Sequence, residues 1–443
     1  SAFRYCSSLS NFNLAEIPLV THINTAFQSN SITSFNTKLP KVKYAYATWY
    51  ACTALTDFSA DVFANWNPSS ISTGVFNDTW AGCTSLTAQS VENILTSIDA
   101  SGHHATTNKL SGGTPLADAG IDIDYNGDPL SAATTAAIDS LSGKGWQVYI
   151  NGELVIPNIL DLQPAAAYSL RSFDADADPN VVNVRRSSDG ATSDFTASEV
   201  SDGTLVAWVG AGNDGHVTTW YDQGGTNHAT QSTASSQPKI VDSGTLVTEG
   251  GEAALNFNGT GDYLNTSQNN PFSFTGPVSM SCAYYKDATA YKDYETLLSA
   301  GTAGSATNNS QSSLSLGFGN HSYMSIRPAY STDIWKPSGV QSTTAVSTNQ
   351  RAIVTYNLSN FSTHRTAGNT EIRANGSALS VSAYRNDEPI GLNLNPMRIG
   401  VFDPILVNSF FSGTIQEIVV FNTDQSTQAS GIEKNINDHF DIY

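Results

Sequence analysis

A short motif returns along the first ninety residues. Ser8-Leu9-Ser10-Asn11-Phe12 recurs as Ser31-Ile32-Thr33-Ser34-Phe35 and as Ala54-Leu55-Thr56-Asp57-Phe58, 23 residues apart each time. A fourth copy, Ser85-Leu86-Thr87, follows 31 residues after the third, and the eight extra residues fit an insertion around Asn65-Trp66-Asn67-Pro68. Each copy follows a related segment: Ala2-Phe3-Arg4-Tyr5-Cys6, Ala26-Phe27-Gln28-Ser29-Asn30, Thr48-Trp49-Tyr50-Ala51-Cys52 and Thr79-Trp80-Ala81-Gly82-Cys83. A unit this short cannot bury an apolar face alone. Stacking its copies can, and a period of 20–29 residues with one short strand per turn predicts a solenoid.

The solenoid needs a cap, because its last turn would otherwise expose an apolar edge. Residues 87–110 read as a helix, with Val91, Ile94, Leu95 and Ile98 on one face. A strand over 121–127 with an Asn-Gly turn, a helix over 131–141 capped by Ser131, and a strand over 144–152 complete the closing turns. The first copy begins mid-repeat at residue 1, which predicts further turns or a cap upstream. Residues 153–163 read as a linker. From 164 onward, short apolar alternations separated by Gly, Asn and Ser predict many strands, at 205–209, 217–220, 254–257, 278–284, 297–299, 314–318, 323–326, 351–357, 371–374, 397–401 and 414–421. That texture predicts a β-sandwich. Ile432, Ile436 and Phe440 place a short helix at the end, within 426–443.

Charge narrows the functions open to such a chain. With 20 Lys and Arg against 39 Asp and Glu, the formal charge is −19. Phosphate contacts need clustered cations, so nucleic-acid partners and anionic membrane surfaces are excluded. No apolar run approaches the ~20 residues needed to span a bilayer, which excludes membrane insertion. No signal peptide is recognisable at the start.

Two sets of motifs resemble known families. The repeated "W/F-x-x-C-x-S-L-T-x-F" rung resembles the BspA-like leucine-rich repeats of bacterial surface proteins. Further on, Pro164-Ala165-Ala166-Ala167-Tyr168-Ser169-Leu170-Arg171, Val184-Arg185-Arg186-Ser187-Ser188-Asp189-Gly190 and residues 217–231, with Tyr221-Asp222-Gln223-Gly224-Gly225 at their centre, resemble the concanavalin-like catalytic domain of the arabinofuranosidase B family. Arg398-Ile399-Gly400-Val401-Phe402-Asp403 and Phe411-Ser412-Gly413-Thr414-Ile415-Gln416-Glu417 resemble that domain's end, and equally the end of laminin-G-like sandwiches. Bacteriophage tail and appendage proteins pair the two modules, so the resemblance implies a virion or cell-surface location.

A retaining glycosidase needs two carboxyls about 5–5.5 Å apart. The arabinofuranosidase resemblance puts the acid/base on Asp403 and the nucleophile on Glu295. Two departures count against catalysis: Val401 and Phe402 replace family glycines, and residues 164–443 contain one cysteine, Cys282, where the family has disulfides. A binding role needs only exposed aromatic rings and amides, for which Tyr284, Tyr285, Tyr291, Tyr294, Tyr330 and Trp335 are the candidates. Asp174, Asp176 and Asp178 alternate in one loop, either as ligands for Ca²⁺ or as a solvated loop. Asp122 to Asp128 imitates a calcium loop, but Ala133 stands where its Glu belongs, and a hairpin is the simpler reading. Cys6, Cys52 and Cys83 share one repeat position and are expected to point inward as small hydrophobes.

The sequence therefore predicts a mostly β protein: a leucine-rich-repeat solenoid over 1–152, then a concanavalin-like jelly-roll sandwich over 164–443. The expected function is recognition of a cell-surface glycan by a phage tail fibre or similar appendage. It would need no cofactor beyond an optional Ca²⁺. Its protein partners would be other virion or surface subunits, in a homo-oligomer that the family analogy makes a trimer. A glycoside hydrolase is the rival reading, and a purely structural decoration protein or bacterial adhesin is the third.

Overall fold

The computed structural model describes residues 2–68, 74–103, 120–144, 146–155, 158–174, 177–266, 277–287, 295–301, 313–318, 324–326, 340–343, 351–358, 370–383, 397–402, 409–426 and 428–443. The chain divides into two compact units, residues 1–157 and 158–443. It is mostly β with few helices, and one large antiparallel sheet system dominates.

In the first unit the four copies lie side by side in parallel. Backbone N–H groups of one copy donate to carbonyls of the next, from Ile23 to Tyr44, Phe27 to Thr48, Ala45 to Val75 and Trp49 to Thr79. Repeat positions become columns. Phe3, Phe27, Trp49 and Trp80 stack in sequence at 5.5, 6.1 and 5.7 Å between ring centroids. Phe12, Phe35 and Phe58 form a second column at 5.8 and 5.7 Å. The two columns meet edge to face, with Phe35 on Trp49 at 4.7 Å. Such offset and edge contacts add to the burial of the rings themselves.

The cysteine position does more than fill space. The thiols of Cys52 and Cys83 donate to the carbonyls of Phe27 and Trp49, each at 3.0 Å. Asn30 occupies the same position and donates its amide to the Phe3 carbonyl at 2.6 Å. Each of these three copies thus ties that position to the aromatic residue of the copy before it. Cys6 departs from the inward expectation and is exposed, because its copy is the outermost described.

The regular strands of a leucine-rich repeat are not what forms. Among the described residues the first three copies hold only the two-residue strands Ser34–Phe35 and Asp57–Phe58, with single parallel bridges beside them. In these copies positive φ at Thr25, Ser29, Ala47 and Ala51 turns the backbone before any strand lengthens. From the fourth copy onward, Phe76–Trp80, Gly120–Ile123 and Gln147–Ile150 pair in parallel, with the antiparallel Glu153–Val155 at the edge. Gly120–Ile123 is therefore an inner parallel strand and not one arm of a hairpin. The helix Ala88–Ala100 is capped by the Thr87 side chain, and Ala132–Gly143 by Ser131. The stretch read as a linker carries strand Glu153–Val155 and a 3-10 turn, Ile159–Leu162.

The second unit is antiparallel and sandwich-like. Its centre is Val278–Lys286, paired to Arg351–Leu358 on one side and Ser412–Phe421 on the other. Alternation assigns Val278, Met280, Cys282 and Tyr284 to the core. Leu264, Leu298, Leu316 and Ile399, from a second run of paired strands, join the same core. The opposite face of the central strand is buried too. The C-terminal helix Ala429–Phe440 contacts it with Ile432, Ile436 and Phe440 buried. The strand expected over 205–209 is a helix, Thr204–Val209. Leu205 and Val209 are four residues apart, and both are buried in the core, so helical spacing places both on one side.

The stacked column makes a testable demand. Trp49, flanked by Phe27 and Trp80 and fully buried, is expected to cost about 3–5 kcal/mol when replaced by alanine. Its exposed neighbour Tyr50 is expected to cost under about 0.5 kcal/mol. Urea melts of both variants followed by far-ultraviolet circular dichroism check the difference, and equal midpoints would refute the column as a structural element.

Candidate functional site

The central strand ends in Tyr284-Tyr285-Lys286, and the next described strand, Thr296–Gly301, is preceded by Glu295. Lys286 and Glu295 form an ion pair, and each side chain is 1% exposed. Two close backbone approaches shape this end of the sandwich. Gly413 faces Lys286 across the sheet, and a Cβ there would lie 2.1 Å from the Tyr285 carbonyl oxygen. Gly400 has a φ of +84°, and its Cβ would lie 2.5 Å from the Phe257 ring. No other residue type fits either place. These approaches bring residues 400–402 and 409–411 beside Thr296–Gly301. The Thr296 amide donates to the Ser409 carbonyl, the Gly400 amide to the Leu297 carbonyl, and the Ser299 hydroxyl to the Val401 carbonyl at 2.8 Å.

An ion pair so buried loses the hydration of both charges, and its attraction repays that only with good geometry. Lys286 was not foreseen as part of the site. It is a single cation in an aromatic run, and nothing in its spacing points to Glu295.

Of the expected site residues, Glu295 is placed here, buried against Lys286. Asp403, Tyr291, Tyr294, Tyr330 and Trp335 lie outside the described residues, so the separation of the two carboxyls is not at issue. Tyr284 corrects its expectation: it is fully buried in the core, and a ring with no exposed face offers nothing to a sugar. Asp176 lies outside the described residues. Asp178 accepts bonds from the backbone amide of Ser198 at 2.9 Å and from its hydroxyl, which draws its carboxyl below the usual range. Asp174 accepts the Ser172 hydroxyl at its backbone carbonyl. Among the described residues no group of three or more His, Cys, Asp or Glu could hold a metal ion.

The motif blocks that resemble the arabinofuranosidase domain are structural knots. Asp222 is buried and accepts from the amides of Ala167, Gly224 and Asn227 at 2.8–2.9 Å. Gln223 donates to the carbonyls of Ser169 and Arg171 and accepts from the Phe173 amide. Arg171 binds Glu417 with two nitrogens, at 2.8 and 3.0 Å, and Asn435 with one of them at 2.7 Å, fastening strand Ala166–Ser169 and the terminal helix to the central sheet. Every polar atom in these blocks named here points at protein backbone or another side chain.

No protein-family model matches the chain, and no curated protein matches it. Solved structures do. An arabinofuranosidase complexed with arabinofuranosyl-α-1,2-xylobiose is 17% identical, covering 62% of this chain and 62% of that one, with a TM-score of 0.43. A GH54 α-L-arabinofuranosidase soaked with a cyclic sulfate inhibitor is 18% identical at the same coverage, with a TM-score of 0.42. A Trypanosoma rangeli sialidase in complex with 2,3-difluorosialic acid is 15% identical, covering 50% of this chain and 31% of that one, with a TM-score of 0.35. The chain thus spans less than two thirds of the length of each. The resemblance to BspA-like repeats joined to a sandwich, as in phage appendages, is corrected by these findings. No family model supports it, and the solved structures named are glycosidases rather than repeat or tail proteins.

Two predictions follow from the buried polar groups. Lys286→Met removes the ammonium beside the buried Glu295 carboxylate and is expected to cost about 3–5 kcal/mol, whereas the double variant Lys286→Met/Glu295→Leu is expected to recover most of it. Chemical melts of the two single variants and the double variant measure the coupling, and additive losses would contradict it. Asp262, buried beside Asn258, has its carboxyl pushed from 3.8 up to about 6 by burial. The folded protein then holds a proton that the unfolded chain has released, so stability falls as pH rises from about 4 to about 6 and is level above. Asp262→Asn is expected to flatten that segment of the pH–stability curve, and an unchanged slope would disprove the assignment.

Proposed function

We propose that the chain is a carbohydrate-directed protein whose second unit engages a saccharide at the end of the sandwich marked by Lys286 and Glu295. The observation that carries this is the buried ion pair. Charges buried at a sheet end are costly to desolvate, and such pairs serve functional sites as well as structural networks like that of Arg171 and Glu417. In that reading the pair, closed over at 1% exposure, positions the strand ends that meet the saccharide rather than touching it.

Binding is the primary reading, because Glu295 at 1% exposure is closed to a sugar's anomeric carbon in this arrangement. The second reading is retaining hydrolysis, with Glu295 as nucleophile and Asp403 as acid/base. It is favoured by one observation: the Lys286 ammonium beside the carboxylate supplies the positive charge that a buried anionic nucleophile needs.

The test uses the full chain against an array of arabinose-, xylose- and galactose-containing oligosaccharides, with release of 4-nitrophenol from 4-nitrophenyl α-L-arabinofuranoside measured in parallel. Array binding that falls at least tenfold in Glu295→Gln, with no release, supports the binder. Release abolished by the same change supports the hydrolase. Neither binding nor release overturns both.

A further inference from the structure

The first unit carries aromatic rings that its core does not use. Along residues 44–47 burial alternates: Ala45 and Ala47 are buried, while Tyr44 and Tyr46 are 38% and 48% exposed. Tyr50, in the same copy, is 41% exposed. Three tyrosines from one copy therefore face outward while Trp49 between them faces in. The neighbouring copies extend the row on both sides. His22 pairs with Tyr44 in parallel register, and its ring stacks on the tyrosine at 4.1 Å and 17°. On the other side the Ala47 amide donates to the Asn77 carbonyl at 3.0 Å, which sets Tyr46 near Asp78, whose charge raises the tyrosine's pKa. The Asp78 amide donates to the Asp122 carboxylate at 2.8 Å, and Asp122 stands in register with Tyr149 on the adjacent strand.

These residues form a line that passes from copy to copy: His22, Tyr44, Tyr46 with Tyr50, Asp78, Asp122 and Tyr149. We propose that the line is a saccharide-binding surface of the first unit, taking a neutral, hydroxyl-rich glycan chain. Exposed ring faces cover the apolar side of a sugar, and flanking carboxylates and amides accept its hydroxyls. Asn24 and Asn151 supply exposed amides near the two ends of the line.

Charge selects among occupants. The line holds carboxylates and no Lys or Arg, so a polyanion is repelled. A cationic peptide would need free carboxylates. Here Asp122 accepts from the Asp78 amide, and Asp124 alongside accepts from the Gly82 amide at 2.7 Å. Each retains acceptor capacity for a hydroxyl while its charge is partly spent within the unit. The surface is independent of the Lys286–Glu295 site, which lies in the other unit.

The test is affinity electrophoresis of the full chain in gels containing arabinoxylan, xyloglucan, barley β-glucan or mannan, with a Lys-rich peptide as the cationic probe in a separate titration. Retardation by at least one polysaccharide that is measured in the Glu295→Gln background and reduced tenfold or more when Tyr46→Ala/Tyr50→Ala is added supports the proposal. Far-ultraviolet circular dichroism and melting establish that the double variant is folded. If it is not, Tyr50→Ala and Tyr46→Phe are read singly, with loss expected in the first and retention of the stacking contribution in the second. Retardation by no polysaccharide overturns the proposal. So does retardation indifferent to the tyrosines, or tyrosine-dependent binding of the peptide alone. Because Glu295→Gln reads the other unit, failure here and failure of the sandwich site are separable.

Discussion

The second unit depends on a strand buried on both faces. Val278–Lys286 exchanges hydrogen bonds with Arg351–Leu358 and Ser412–Phe421, so its backbone polar groups are met within the sheet. Its side chains then divide. Val278, Met280, Cys282 and Tyr284 enter the core, and Ser279, Ser281 and Ala283 meet the layer outside. Small and hydroxylated residues suit that second face, because it must receive a helix and a loop at close range. The Ser279 hydroxyl takes the Gln425 amide at 2.8 Å, and Ser281 meets Thr355 at 3.1 Å. Glu417, fully buried in the neighbouring strand, is tolerable there only because Arg171 reaches it with two nitrogens.

That dependence explains the polar blocks between 164 and 231. They carry the Asp, Gln and Arg on which the resemblance to a catalytic domain rests. In the fold they fasten the first strand of the unit to the last strand and the terminal helix. Asp222 substitutes for water at three backbone amides, a structural task that demands a carboxylate as strictly as catalysis does. A motif can therefore mark an architecture without marking its chemistry.

What the sequence disclosed follows the same division. The copies in the first ninety residues were legible because each side-chain column must repeat for the rings to stack. Strands at 278–284 and 414–421 were legible from their length and apolar content, and the terminal helix from its spacing. Residues 205–209 were misread, because a five-residue apolar run has no period of its own and only its neighbours decide between helix and strand. Gly120–Ile123 was assigned the wrong partner, since Asp-x-Asp followed by Asn-Gly looks like a turn-bound hairpin while its carboxylates in fact cap the backbone of the parallel copy beside it. Tyr284 was taken for a surface ring because Tyr is at home in both places. Lys286 could not be found at all, its importance arising from a partner nine residues away that only the tertiary fold brings near.

The first unit uses its aromatics in two ways that share one cause. Parallel copies put equivalent residues at neighbouring positions, so a ring at an inward position acquires rings above and below it, as Trp49 does between Phe27 and Trp80. An outward position in the same copy acquires neighbours by the same geometry, but these are His22, Asp78 and, through Asp122, Tyr149. Inward, repetition of one residue type gives a dry column. Outward, variation across the copies gives a graded line of rings and acceptors. A stack of coils held by its interior is free to vary that line without altering the fold, since the stabilising contacts lie on the other side of the backbone.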